Sequence, residues 1–232
     1  MIRKLEIIEI FKKVINFNVD FKTMDIECAS TEFQEYDDYL YRGIDCYLRY
    51  SSKHVATLIK TIKSGIIKTP VSIMDIGAGV GLTTLEMAEA LSDTKLYYND
   101  VYGSKQWQFA DKMFKFRGQS ITDVAPDDIL KVGHIDMLVM FEFCEHLLEP
   151  IQFVKSLATK TTSEYIVMAN SFGAIHPEHI KEFRYNDLNI PQKAMGRVFN
   201  KAMREIGYEV HPITKTFWNR RPAIWVKMEE CK

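Results

Sequence analysis

Apolar residues recur at helical intervals in the first third of the chain and in short runs alternating with helical segments after Pro70. Over residues 2–17, Ile2, Leu5, Ile8, Ile10, Phe11 and Ile15 stand near helical spacing, which predicts an amphipathic helix suited to a lid or an oligomer contact. Residues 52–64 predict a second helix with Val55, Leu58, Ile59 and Ile62 on one face, ended by Gly65. Between them, residues 21–49 are aromatic-rich and irregular: Phe33, Tyr36, Tyr39, Tyr41 and Tyr47 stand among acidic residues. That stretch fits either packing between short helices or a wall of a substrate pocket. Beyond Pro70 the pattern predicts strands over 71–76, 95–98, 135–141, 165–169, 209–217 and 223–228, and helices over 82–91, 106–114, 146–159 and 193–206. Such alternation is the signature of β-α units on a mainly parallel sheet. Asn219-Arg220-Arg221-Pro222 reads as a hairpin connection, which makes the last two strands antiparallel.

The run Val71-Ser72-Ile73-Met74-Asp75-Ile76 ends in Gly77-Ala78-Gly79-Val80-Gly81, and helical residues follow at once from Leu82. Strand, glycine turn and helix without a gap mark the point where open α/β sheets bind ligands. The spacing is not the G-x-G-x-x-G of a dinucleotide fold, because Leu82 stands where its last glycine would be needed. At the end of the next apolar run, Asn99-Asp100 offers a carboxylate that can accept hydrogen bonds from two ribose hydroxyls; a turn or a helix cap is the plainer reading of the same aspartate.

Farther on, His134-Ile135-Asp136-Met137-Leu138-Val139-Met140-Phe141 leads into Glu142-Phe143-Cys144-Glu145-His146. Glu142, Glu145 and His146 stand at i, i+3 and i+4, one face of a helix that begins early. Two carboxylates and an imidazole in that pattern can hold a divalent cation. His179, in the His176-Pro177-Glu178-His179 segment after the fifth strand, is a candidate fourth ligand. Equally open are a Glu145 that complements a helix N-terminus and a His146 that packs or acts alone as a base.

The D-x-G-x-G-x-G loop closely resembles the first motif of the class I S-adenosylmethionine-dependent methyltransferases. The strand running into Glu-x-x-Glu-His resembles their fourth, so the resemblance spans residues 71–169. It implies a three-layer α/β sandwich with a mostly parallel, seven-stranded Rossmann-like sheet and an antiparallel last strand. An N-terminal helical cap over residues 1–64 would precede a methyltransferase domain over 65–232. It also implies S-adenosylmethionine as cofactor, held by Asp75, Gly77, Gly79, Gly81, Asp100 and Phe141, with Asp123 near the adenine. Glu142, Glu145 and His146 become the candidate catalytic residues. The Glu-x-x-Glu-His segment with a later histidine is similar to two subgroups, the small-RNA 3′-terminal 2′-O-methyltransferases and the ubiquinone-pathway O-methyltransferases. For such a site the metal is magnesium or manganese, on Glu142, Glu145, His146 and His179.

Composition narrows the acceptor. With 30 basic and 31 acidic residues the net charge is -1, so no overall basic field attracts nucleic acid, although a local basic patch remains open. The expected acceptor is therefore a small molecule or sugar methylated on oxygen, with the end of an RNA as the alternative and a non-catalytic S-adenosylmethionine-binding protein as a third reading. Four scattered cysteines, Cys28, Cys46, Cys144 and Cys231, form no C-x-x-C pair, which fits a reducing, cytoplasmic setting. Charges at Glu6, Glu9, Lys12 and Lys13 interrupt any signal-peptide core, and the most apolar stretch, 135–144, is too short to cross a bilayer. Before the first strand, Arg42 and Tyr50 are candidates to close over the cofactor carboxylate, against an ion pair of Arg42 with Asp37 or Asp38. Asn170-Ser171-Phe172-Gly173 is the expected lining of the acceptor pocket.

Overall fold

The computed structural model describes residues 38–174, 179–214 and 222–228. The helix expected over 2–17, the aromatic stretch up to residue 37, His176 and residues 219–221 of the expected hairpin connection lie outside the described residues. Helix α1 (Asp38–Cys46) passes through a π-helical turn (Tyr47–Ser51) directly into α2 (Ser52–Lys63). The apolar stripe runs on through that turn: Leu40 and Ile44 before it, Tyr47 within it and Val55, Leu58 and Ile62 after it are buried at near-helical spacing. Gly65 ends the helix as expected, at φ 71°.

The β-α units follow as β1 (Ser72–Ile76), α3 (Leu82–Ala90), β2 (Lys95–Asn99), α4 (Lys105–Phe116), β3 (Thr122–Asp123), β4 (Met137–Phe141), α5 (Pro150–Thr161) and β5 (Tyr165–Ala169). A hairpin of β6 (Glu182–Tyr185) and β7 (Leu188–Pro191) precedes α6 (Gln192–Glu205), β8 (Tyr208–Val210) and β9 (Ala223–Lys227). The seven-stranded sheet has the order β3-β2-β1-β4-β5-β9-β8. Its first five strands are parallel, and β9 enters antiparallel to both β5 and β8. The strand order reverses between β1 and β4, the switch point at which such sheets open a crevice.

Period-two alternation puts both faces of the central strands in apolar cores. In β4, Met137, Val139 and Phe141 face the core shared with α2 and α3, while Leu138 and Met140 face the core shared with α5 and α6. A third cluster, built on Ile44, Tyr47, Val80, Leu85, Tyr98 and Phe114, joins α1 and α4 to the glycine loop. Apolar burial of this kind contributes about 25 cal/mol per Å².

Three local expectations change. The helix expected from His146 begins at Pro150, since proline suits the first helical position, and Cys144–His146 is a separate 3-10 turn. The strand expected over 209–217 stops at Val210, because Pro212 has no N–H for the ladder and opens the 3-10 turn Pro212–Thr214. The β6–β7 hairpin was not legible; its turn residues Asn186 and Asp187 both take positive φ, 48° and 60°, a conformation that Asn and Asp tolerate.

Candidate functional site

At the end of β1 the chain turns through Gly77, Gly79 and Gly81, with φ of 62°, 56° and 72°. A side chain at Gly77 would stand 2.0 Å from the Phe143 ring, and one at Gly81 2.7 Å from Phe114, so both positions are closed to anything larger. At Gly79 the nearest atom is Gln106 Oε1, at 3.3 Å. Asp75 is buried, and its Oδ2 accepts hydrogen bonds from the Thr83 and Thr84 hydroxyls at 2.6 and 2.7 Å. It thus ties the end of β1 to the first turn of α3 and fixes the loop between them. Burial pushes its carboxyl up to about 6, partly offset by those two hydroxyls and raised further by Asp100.

Asp100 comes to the same loop from β2. Its Oδ2 accepts from the Gly79 amide at 2.7 Å and its Oδ1 from the Val101 amide at 2.7 Å. Burial raises its carboxyl above the usual range, opposed by those two amides. The Tyr98 hydroxyl donates to the Gly79 carbonyl at 2.6 Å, a clamp on the loop that the sequence did not signal. Asp123, on β3, accepts from the Trp107 indole at 2.9 Å beside a cavity of about 150 Å³ lined in part by Tyr98, Trp107 and Phe114. Gly43 of α1 lies directly on Val80, so the first helix covers the loop from outside. Arg42 is exposed and Tyr50 about half exposed. Phe141, at the end of β4, is buried with its ring against His54 of α2, centroids 5.5 Å apart.

The segment after β4 is built differently. Glu142 has φ 49°, rare for a residue with a side chain, and its amide donates to Ala169 at 2.7 Å. Asn170 Oδ1 accepts from the amides of Phe143 and Cys144 and so holds the turn from β5. Ser171 engages both glutamates: its hydroxyl donates to Glu142 Oε2 at 2.9 Å and its amide to Glu145 Oε1 at 2.8 Å. Of the four residues expected to line the acceptor pocket, Asn170 and Phe172 are buried, Phe172 in the core beside Phe183, and Asn170 and Ser171 support the turn after β4. Glu145 Oε2 is buried and, among the described residues, without a hydrogen-bond partner. Burial, then repulsion from Glu142, pushes the Glu145 carboxyl well above the usual carboxylate range, against the Ser171 amide.

Of the four expected ligands, Glu145, His146 and His179 come together, with one donor atom of each within 4.8 Å of the others. The 3-10 turn and the return loop bring them there, not a shared helical face. The rings of His146 and His179 cross at 81° with centroids 5.1 Å apart, and His179 Nδ1 lies 3.0 Å from the Ala174 carbonyl. Glu142 turns toward Ser171 and toward His54, whose Nε2 is 3.7 Å from Glu142 Oε1. No sequence pattern pointed to His54, and a lone histidine inside an apolar helix gives no local signal.

No family model and no curated protein matches the sequence. Solved structures do match. The methyltransferase domain of a bacterial Hen1 is 15% identical with a TM-score of 0.55, covering 78% of this chain and 100% of its own. Magnesium protoporphyrin IX methyltransferase from Synechocystis PCC 6803 with bound S-adenosylmethionine is 14% identical at TM-score 0.54, covering 85% of this chain and 92% of its own. An O-methyltransferase family protein from Burkholderia thailandensis reaches TM-score 0.59 at 10% identity, covering 87% of this chain and 63% of its own. The shared feature is the fold: this chain has the class I, Rossmann-like methyltransferase fold. Among the described residues, no helix is long and apolar enough to cross a membrane.

Proposed function

We propose that the chain is an S-adenosylmethionine-dependent methyltransferase that methylates a hydroxyl of a small molecule or sugar. The observation that carries this reading is one shared edge. The three left-handed glycines and Asp100 stand at the ends of β1 and β2, and the Glu145-His146-His179 group follows β4 and β5 at the same carboxyl ends. In this reading Gly77, Gly79 and Gly81 admit the cofactor to the backbone, Asp100 exchanges the Gly79 amide for ribose hydroxyls, and Asp123 and Phe141 flank the nucleoside. The acceptor oxygen attacks the methyl carbon as the carbon–sulfur bond breaks, leaving a thioether, and the hydroxyl proton passes to His146 or to solvent. Alignment of oxygen, methyl and sulfur supplies much of the rate.

The donor set suits a divalent cation such as magnesium or manganese: Glu145 offers a buried, unpartnered oxygen, with two imidazoles beside it and Glu142 adjoining. When bound, the cation would lower the pKa of an acceptor hydroxyl. Calorimetric titration with S-adenosylmethionine and S-adenosylhomocysteine, with and without manganese, tests the reading. Micromolar binding lost in Gly79→Arg supports it; no binding in any condition refutes it.

One observation favours a second reading, methylation of an RNA end. Lys193, Arg197, Lys201 and Arg204 are all exposed on one stripe of α6, whose first residue, Gln192, donates to the Ala174 carbonyl beside His179. Steeply salt-dependent binding of single-stranded RNA, lost in a Lys193→Glu/Arg197→Glu variant, would select it over a small acceptor.

A further inference from the structure

We infer that His54 is a positioning residue for Glu142, reaching the acceptor edge from α2 and donating its Nε2–H to Glu142 Oε1 when the site is loaded. The inference rests on the proposed cation site. His54 is 3% exposed and sits on a helix anchored in the core by Val55, Leu58 and Ile62. Its ring leans on Phe141 at 51°, which aims Nε2 at the residue that follows Phe141 in the chain. Nε2 is buried and, among the described residues, without a hydrogen-bond partner, 3.7 Å from Glu142 Oε1. A buried ring nitrogen left in that state is rare and needs a reason.

Glu142 supplies the reason. Its left-handed backbone and the Ala169 bond hold its main chain in place, and Ser171 uses its one hydroxyl proton on Oε2. Oε1 is left facing His54. Among the described residues, the other ionisable groups that feel the glutamate are Glu145 and the Cys46 thiol of α1, and neither brings a positive charge. Burial, then Glu142, pushes that thiol up to about 12. A shift of under about 1 Å closes 3.7 Å to hydrogen-bond length, within the reach of a glutamate side chain. Glu142 lies outside the group of Glu145, His146 and His179 and joins a cation there by turning its Oε2 away from Ser171, with His54 holding Oε1; losing such a hydrogen-bond partner costs about 10- to 100-fold in metal affinity. On this view the helices before β1 complete the acceptor edge and do not merely cover it.

The test is manganese binding, followed by the loss of the free-ion electron paramagnetic resonance signal, in the wild type, H54F, H54Q, E142Q and H54F/E142Q, with S-adenosylhomocysteine affinity and Tm measured on each. The expected results are about tenfold or more weaker manganese binding in H54F and substantial recovery in H54Q, whose amide N–H stands near the Nε2 position. S-adenosylhomocysteine affinity should be unchanged, and H54F should add nothing on the E142Q background. Wild-type affinity in H54F, or an additive effect of H54F on E142Q, overturns the inference while leaving the cation site standing. A wild type that binds S-adenosylhomocysteine but no manganese overturns both. If H54F fails to fold, H54L and H54L/E142Q take its place with the same two outcomes.

Discussion

The two halves of the crevice solve different problems. On the β1–β2 side the site is made of backbone: glycines at positive φ, amides accepted by Asp100, a carbonyl gripped by Tyr98. On the β4–β5 side it is made of ionisable side chains, two glutamates in mutual repulsion and two histidines, with Glu145 Oε2 and His54 Nε2 buried and unpartnered. The first half is limited by space and should break under added atoms. The second carries unresolved charge and should respond to its removal. Phe143 joins them, because it follows β4 yet its ring occupies the space over Gly77.

The largest effect is expected at Gly77. Alanine there combines positive φ with a Cβ only 2.0 Å from the Phe143 ring, which should cost about 2–4 kcal/mol and abolish S-adenosylhomocysteine binding. Gly79→Ala meets only the end of the Gln106 side chain and should cost about 1–2 kcal/mol. Equal losses in thermal unfolding would erase the steric distinction between the two glycines.

Next is a charge effect on the backbone side. Asp75 has a folded-state carboxyl raised from 3.8 to about 6, so the folded protein holds its proton more tightly than the unfolded chain. Stability from this group is therefore present below about pH 4, is lost as pH rises to about 6 and stays lost above that. Asp75→Asn keeps an oxygen for Thr83 and Thr84 and should escape the loss. Denaturation at pH 4 and pH 8 should show the wild type falling by up to about 3 kcal/mol relative to the variant. A pH-independent difference would exclude the linkage.

On the opposite side, Glu145→Gln replaces a buried carboxyl, whose proton burial and the charge of Glu142 retain, with a neutral amide. Without added metal it should leave stability unchanged or raise it by about 1 kcal/mol, while manganese affinity falls at least about tenfold. A variant markedly less stable in the absence of metal would mean that the charge is already compensated. The smallest effect belongs to Trp107→Phe, which deletes an exposed hydrogen bond to Asp123 and should change stability by under about 0.5 kcal/mol in chemical denaturation.

The strand-glycine-helix unit was legible because its cause is local: a β-period apolar run, residues that alone accept positive φ, then a helical run from Leu82. Asp100 was legible for the same reason, standing where the second strand ends. The Glu-x-x-Glu-His cluster was legible as chemistry but not as geometry, since the helix expected to align it starts at Pro150. The hairpin turning at Asn186-Asp187 was not legible, because its flanking strands are four residues each with weak alternation.

By itself, then, the sequence determined the alternation of strands and helices, the mainly parallel sheet and the loop at the end of β1, because hydrophobic periodicity and glycine conformation act within a few residues. Tertiary structure decided what long-range packing alone can bring together: β9 between β5 and β8, Phe143 over Gly77, Ser171 between the two glutamates and His54 against Glu142. His54 and Glu142 are 88 positions apart in the chain, and neither carries a local mark of the other. Their meeting follows from how α2 and β4 share one core, a property of the packed sheet and not of either segment.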